Sequence, residues 1–283
     1  MNEEKNKSLK LNFLMNIILT MSSFIFPLIT FPYVSRILLP VGTGKVSLAT
    51  SIITYFSMFA QLGIPTYGIR VCAAARDDRK KLSKTAQELL IINLIMCVIS
   101  YIVLFGAIFS VSKMQEEKNL YIVLSFTIIL TSIGMEWLYK ALEQYTYITV
   151  RSVCFKFIAL VAMFLLIHEQ KDYVIYGGIT IFAASASNVL NLINAHKYID
   201  LKPFGNYDFK IMLQIVKLGI SPFIIMATDS VILILLNSAL KLYGHENGDF
   251  YIEIATIVQA FETLATGPLL GISSGTQPIL GYN

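Results

Sequence analysis

Between Lys10 and Arg36 the chain carries no charged side chain, and the apolar run continues through Arg36 to Leu39. A run of this length can cross the roughly 30 Å hydrocarbon core of a bilayer. With no water there to satisfy the backbone, it must cross as a helix. Two prolines, Pro27 and Pro32, lie inside it. Each removes a backbone donor, frees a carbonyl and bends the helix. Arg36 near its end would cost about 2.5–3.5 kcal/mol at mid-membrane unless it met water or a counter-ion. The stretch Phe26–Pro40 therefore reads as a bent membrane helix that lines something polar.

The same length scale recurs along the chain. Apolar runs predict helices over about 11–37, 45–64, 88–110, 120–139, 147–167, 173–195, 211–236 and 251–272. A short turn holds Gly42 and Gly44, and the charged stretch Arg70–Lys84 reads as a solvated or interfacial helix. Hydrophobic residues make up 55% of the sequence and charged ones 14%, against about 25% charged in a soluble domain. The fold class is thus all-α, a polytopic membrane helical bundle of about eight transmembrane helices. The segment 196–210, with Pro203 and Gly205, is the linker between residues 1–195 and 211–283. Lys5, Lys7 and Lys10 precede the first run as in a signal peptide. That run is too long for a signal peptide, and no small-residue cleavage site follows it. The first helix is expected to be retained.

Loop charges give an orientation. With the N-terminus in the cytoplasm, the inner segments hold fourteen lysines and arginines against six outside, among them Arg70, Arg76, Arg79, Lys80, Lys81 and Lys84. Positive residues stay inside. The net charge of +4 has this use already and calls for no nucleic acid. Cys72, Cys97 and Cys154 are too far apart for a metal or redox motif, and the three histidines are scattered in loops. With no metal-ligand cluster, no nucleophile beside a base and no phosphate-cradling glycine loop, the sequence reads as a non-enzyme without cofactor or metal.

Several ionisable residues fall where charge is expensive. Arg36 ends the first helix. Glu136 and Lys140 are four apart, a spacing that pairs them on one helix face. Arg151 and Lys156 lie on the fifth helix, with Lys156 too deep to reach the headgroups easily. Asp229 and Glu262 are deep acids on the last two helices. Ion pairing within the bundle or snorkelling is the alternative for those near an interface; a polar cavity is the reading for Lys156.

Phe31-Pro32-Tyr33-Val34-Ser35-Arg36-Ile37-Leu38 with Gly42 and Gly44 resembles the first helix and turn of lipid-linked oligosaccharide flippases, the O-antigen and capsule repeat-unit translocases of the Wzx kind. So do Leu62-Gly63-Ile64-Pro65-Thr66-Tyr67-Gly68-Ile69-Arg70 and Glu136-Trp137-Leu138-Tyr139-Lys140, with Arg151, Lys156 and Asp172-Tyr173 behind them. The resemblance covers about residues 8–210. It implies two six-helix halves around a central cavity, a fold shared with the multidrug and toxic-compound extrusion transporters. It also implies transport of undecaprenyl-diphosphate-linked oligosaccharide across the cytoplasmic membrane by alternating access. Its implied partners are that substrate, membrane lipids and polysaccharide polymerase machinery. Arg36, Arg151, Lys156, Lys140 and Glu136 become candidates for an anion-binding cavity.

After Lys210 the sequence resembles the drug-extrusion branch instead, in Leu218-Gly219-Ile220-Ser221-Pro222 and in Gly271–Asn283 with its Gln277-Pro278-Ile279-Leu280-Gly281-Tyr282-Asn283. Residues 211–283 carry only two of the 22 basic residues and five of the 18 acidic ones. A drug or cation antiporter coupled through Asp229 and Glu262, or an inactive hybrid, is the alternative. Eight helices where the resemblance implies about twelve read as a shortened chain with an incomplete second bundle.

Overall fold

A computed structural model describes residues 2–202, 207, 209–245 and scattered helical positions between 251 and 276. The described residues form helices and turns, with no strand among them. Helix α1 (Asn2–Gln61) has 60 residues, about 90 Å at 1.5 Å per residue and far beyond one bilayer. It is broken at Leu39, whose backbone lies at φ 55°, ψ 174°. Pro40 follows directly, and a proline disfavours helical backbone in the residue before it.

The turn therefore sits at Leu39, ahead of the expected Gly42 and Gly44, which fall on the second leg. Gly42 serves close approach: a Cβ there would lie 3.0 Å from Leu38 Cβ and 3.7 Å from the carbonyl of Gln170. The first leg stays helical through Pro27 and Pro32. Thr30 Oγ1 donates to the carbonyl of Phe26 at 3.0 Å and Ser35 Oγ to that of Pro32 at 3.4 Å.

The remaining elements are α2 (Ile64–Ala75), α3 (Arg79–Ser110), α4 (Ser112–Glu116), α5 (Lys118–Ile133), α6 (Glu136–Ala141), α7 (Tyr145–Leu166), α8 (Tyr173–Ile181), α9 (Asn188–Asn194) and α10 (Phe209–Tyr243). The stretch Arg70–Lys84 is not one interfacial helix. Ile64, Ile69, Cys72 and Ala73 of α2 are buried, and α3 starts at Arg79. Asp78 caps α3, accepting from the backbone N–H of Lys80 (2.9 Å) and Lys81 (3.1 Å).

The legs of α1 run antiparallel. On the first, the carbonyl of Met15 accepts from Thr149 at the start of α7, and Tyr33 donates to Ile167 at the end of α7. On the second, Lys45 pairs with Glu117 at the start of α5, and Ser57 bonds Thr131 near its end. Val34 and Leu38 of the first leg pack on Ala159 and Met163 of α7. Val46, Ala49, Ile53 and Ala60 of the second pack on Cys97, Leu104, Leu124 and Ile128. Small residues at these contacts let helices approach closely, which is what drives association in lipid.

Among the described residues, five helical stretches are long and apolar enough to cross a membrane: Leu11–Ala75, Arg79–Ser110, Lys118–Ala141, Tyr145–Leu166 and Gln170–Lys197. The first is folded back at Leu39, so it crosses twice. The chain is a multi-pass membrane protein. α10 lies along α2 and α3, with Val216 against the Cys72–Leu89 core and Phe223 6.3 Å from the ring of Phe59.

Two crossings are interrupted. α5 stops at Ile133, and α6 restarts after Met135, which sits in left-handed backbone at φ 45°. Between α8 and α9 the residues Phe182–Ala186 form a wide π turn. Broken helix inside a membrane is tolerated where other groups re-satisfy the freed backbone. Here Asn191 Nδ2 donates to the carbonyl of Gly134 at 2.8 Å, and Tyr139 donates to the carbonyl of Asn191 at 2.5 Å. Asn188 packs directly on Gly134, where a Cβ would fall 2.6 Å from Asn188 Cγ.

Candidate substrate cavity

The first leg of α1 carries polar residues at helical spacing: Asn16, Thr20, Ser23 and Thr30, with Pro27 in register. All of them line a cavity of about 470 Å³. The other walls come from Glu136 and Lys140 on α6, Ser152 and Lys156 on α7, Tyr176 and Thr180 on α8, and Ala183 and Ala184 of the π turn. Both interrupted crossings thus supply wall residues. A helix uninterrupted at 134–135 would carry Glu136 and Lys140 in another register, so the break decides which face α6 presents.

Lys156 sits near the middle of α7, about 16 Å from either end. It is 9% exposed. Its Nζ donates to Ser22 Oγ (2.7 Å) and Ser23 Oγ (2.9 Å). No carboxylate lies within ion-pair distance of it among the described residues. A buried ammonium held only by neutral hydroxyls is a costly arrangement, because Coulomb attraction does not offset the lost hydration. Chemically, such a charge can pair with an anion that enters the cavity.

Glu136 and Lys140 form the expected i, i+4 pair, with Nζ to Oε1 at 2.8 Å. Arg151 approaches the other carboxylate oxygen of Glu136 at 3.8 Å. Its side chain is buried and does not line the cavity. One terminal nitrogen donates to the carbonyl of Ser187, just after the π turn, and lies 3.5 Å from Asn188 Oδ1. Its guanidinium stands 5.9 Å from the ring centre of Tyr147.

Four of the charged residues singled out in the sequence are therefore brought together: Glu136, Lys140 and Lys156 on the cavity wall, with Arg151 behind it. Arg36 does not join them. It is exposed near the Leu39 break, at the opposite end of the first leg from Asn16. The side chain of Asp229 lies outside the described residues, and Glu262 is exposed. Ser22, Ser23, Asn188 and Asn191 are the polar neighbours of this group that charge alone did not reveal. The signal for the α1 wall was the 16, 20, 23, 30 periodicity. Among the described residues no cluster of His, Cys, Asp or Glu could hold a metal ion.

A family model described as "Polysaccharide biosynthesis protein" matches residues 9–265. The chain belongs to this family. The match runs without a break past Lys210, so family character continues beyond the point where the sequence seemed to change. Gly271–Asn283 lies beyond the match. The chain is also 24% identical, over 187 residues, to an Escherichia coli (strain K12) protein named "Putative O-antigen transporter". That alignment covers 65% of this chain and 43% of the relative, so the chain spans less than half the length of the relative it matches. No solved structure matches it. Family membership places the buried cations in a membrane protein of polysaccharide biosynthesis.

Proposed function

We propose that this chain forms the cavity-bearing part of a membrane transporter that flips a diphosphate-linked oligosaccharide on an undecaprenyl carrier across the cytoplasmic membrane. The observation that carries this reading is Lys156, a deeply buried ammonium with no carboxylate within ion-pair distance among the described residues, on the wall of a cavity that hydroxyls, Asn16 and the Glu136–Lys140 pair also line. Hydroxyl and amide groups suit sugar hydroxyls, and a free cation suits an oxyanion. The "O-antigen transporter" wording of the relative agrees with such a cargo. The helix breaks that build the cavity are the device by which transporters place polar groups at mid-membrane.

Residues 1–195 act in this reading as one half-bundle, 196–210 as a linker and 211–283 as the start of a second half. Alternating access comes from rocking of the halves. The end of the bundle that holds Arg76, Arg79 and Lys197 is the cytoplasmic one, because lysine and arginine concentrate there, which puts the N-terminus inside. The opposite end holds the Lys45–Glu117 pair, closed at 2.5 Å. Polysaccharide polymerase is the partner that would receive the flipped unit. The protein transports and performs no chemistry on the substrate.

The test is complementation. In a strain lacking its repeat-unit flippase, the chain restores surface polysaccharide, and the Lys156→Ala variant, inserted to the same level, does not. Absence of rescue by the inserted wild-type chain overturns the reading.

A further inference from the structure

Glu136 has two cations close to its carboxylate oxygens, of different kinds, with Lys156 farther off on the same cavity wall. Lys140 lines the cavity and holds Oε1 at 2.8 Å; Arg151 lies outside the cavity and faces Oε2 at 3.8 Å. An oxyanion that bridges Lys156 and Lys140 across the cavity takes Lys140 from Glu136. With no other cation near, that would strand a carboxylate in a partly buried site, and breaking such a pair by removing one partner is strongly unfavourable. Arg151 removes the obstacle.

Its own position is fixed independently of the cavity. The carbonyl of Ser187 and Oδ1 of Asn188 hold one terminal nitrogen, and Tyr147 stands near the guanidinium face. Asn188 in turn is locked against Gly134, two residues before Glu136. The Nε of Arg151 is buried and unpaired. The guanidinium thus keeps donor capacity beyond what it uses.

Resting on the transport reading above, we infer that Glu136 is a resident counter-ion that exchanges Lys140 for Arg151 when an oxyanion binds, and that Arg151 is a positioning residue and not a substrate ligand. In the empty cavity Glu136 neutralises Lys140. In the loaded cavity the oxyanion bridges Lys140 and Lys156, and Glu136 closes onto Arg151. The oxyanion chemistry fits two sources, the diphosphate of the lipid carrier or the carboxylate of an acidic sugar.

Trp137, the chain's one tryptophan, adjoins Glu136 and is buried, so its emission reports the exchange. The wild-type chain in phosphatidylcholine nanodiscs is titrated with geranylgeranyl diphosphate in one arm and glucuronic acid in the other. Arg151→Gln weakens binding at least about tenfold, equivalent to ~1.4 kcal/mol. Glu136→Gln binds at least as tightly as wild type. The double variant Glu136→Gln/Arg151→Gln returns to within about threefold of Glu136→Gln, because no carboxylate is left to strand. If the Arg151→Gln loss persists undiminished in the Glu136→Gln background, Arg151 contacts the anion or is only structural, and the exchange is overturned.

Infrared difference spectra give a second readout that leaves Arg151 in place. A carboxylate band absent from Glu136→Gln shifts on anion addition to the wild-type chain; an unshifted band overturns the exchange however Arg151→Gln folds. A response to only one probe supports the exchange and assigns the oxyanion to the lipid diphosphate or to the acidic sugar. Binding of neither probe overturns the transport reading, and the exchange with it.

Discussion

Replacing Lys156 by methionine separates function from stability. The ammonium is 9% exposed and has no carboxylate partner among the described residues, and the effective penalty for burying such an ion is several kcal/mol after relaxation. Against this stand two hydrogen bonds, to Ser22 and Ser23, each worth about 1.5–3 kcal/mol when one partner is charged. The two sides nearly cancel. Methionine keeps most of the volume, and a volume-conserving swap costs less than about 1.5 kcal/mol. The hydroxyls are not orphaned by the change, because both already donate to the carbonyl of Leu19, Ser22 at 2.7 Å and Ser23 at 3.3 Å. Lys156→Met should therefore shift unfolding by no more than about 1 kcal/mol in either direction, while surface-polysaccharide rescue is lost. Titration with sodium dodecyl sulfate in mixed micelles, followed by Trp137 emission, measures the first quantity. Destabilisation beyond about 2 kcal/mol would show that Lys156 is held for structure, and the poised-charge argument would fail.

Gly134→Ala sets a Cβ 2.6 Å from Asn188 Cγ, and the overpacking should cost about 1–3 kcal/mol in the same titration. Asp78→Ala removes the two-fold cap of α3 and should cost about 1 kcal/mol, read as faster hydrogen exchange at Lys80 and Lys81. Glu117, at the mouth of the bundle, is pulled upward by partial burial, but its hydrogen bonds from Lys45 and Tyr173 outweigh this and hold its carboxyl below the usual range. A depressed folded-state pKa means the link contributes at pH above the ordinary carboxylate value and is lost as pH falls through the lowered one. Acidification through that window should accelerate hydrogen exchange across 112–118, and Glu117→Gln should abolish that pH dependence.

Charge in apolar sequence was the most legible signal. Glu136, Lys140, Arg151 and Lys156 stood out because each is expensive in hydrocarbon, and the fold does gather them. Arg36, singled out by the same logic, stands apart from them, exposed near the Leu39 break and off the wall of this cavity. Proline was informative only through its neighbour: Pro27 and Pro32 leave the helix continuous, whereas Pro40 acts on Leu39 and breaks it. The interruption at Gly134–Met135 was hidden because its support comes from Asn188 and Asn191, more than fifty residues away in sequence. Long-range satisfaction of a broken backbone leaves no local pattern. Arg151 shows the limit most clearly. Its residue type and depth point to a ligand, but only the structure shows that it stands off the cavity wall, with one terminal nitrogen on Ser187 and Asn188 and the other toward Glu136.

The most direct test of the account is translocation itself. Proteoliposomes containing the chain and a fluorescent oligosaccharide on a prenyl diphosphate carrier are assayed for protection of the sugar from an externally added, membrane-impermeant quencher. Faster exchange between leaflets with the wild-type chain, reduced to the protein-free rate by Lys156→Met, is the predicted result. Equal exchange with wild type and Lys156→Met, both above the protein-free rate, would contradict the claim that the buried ammonium carries the substrate's charge.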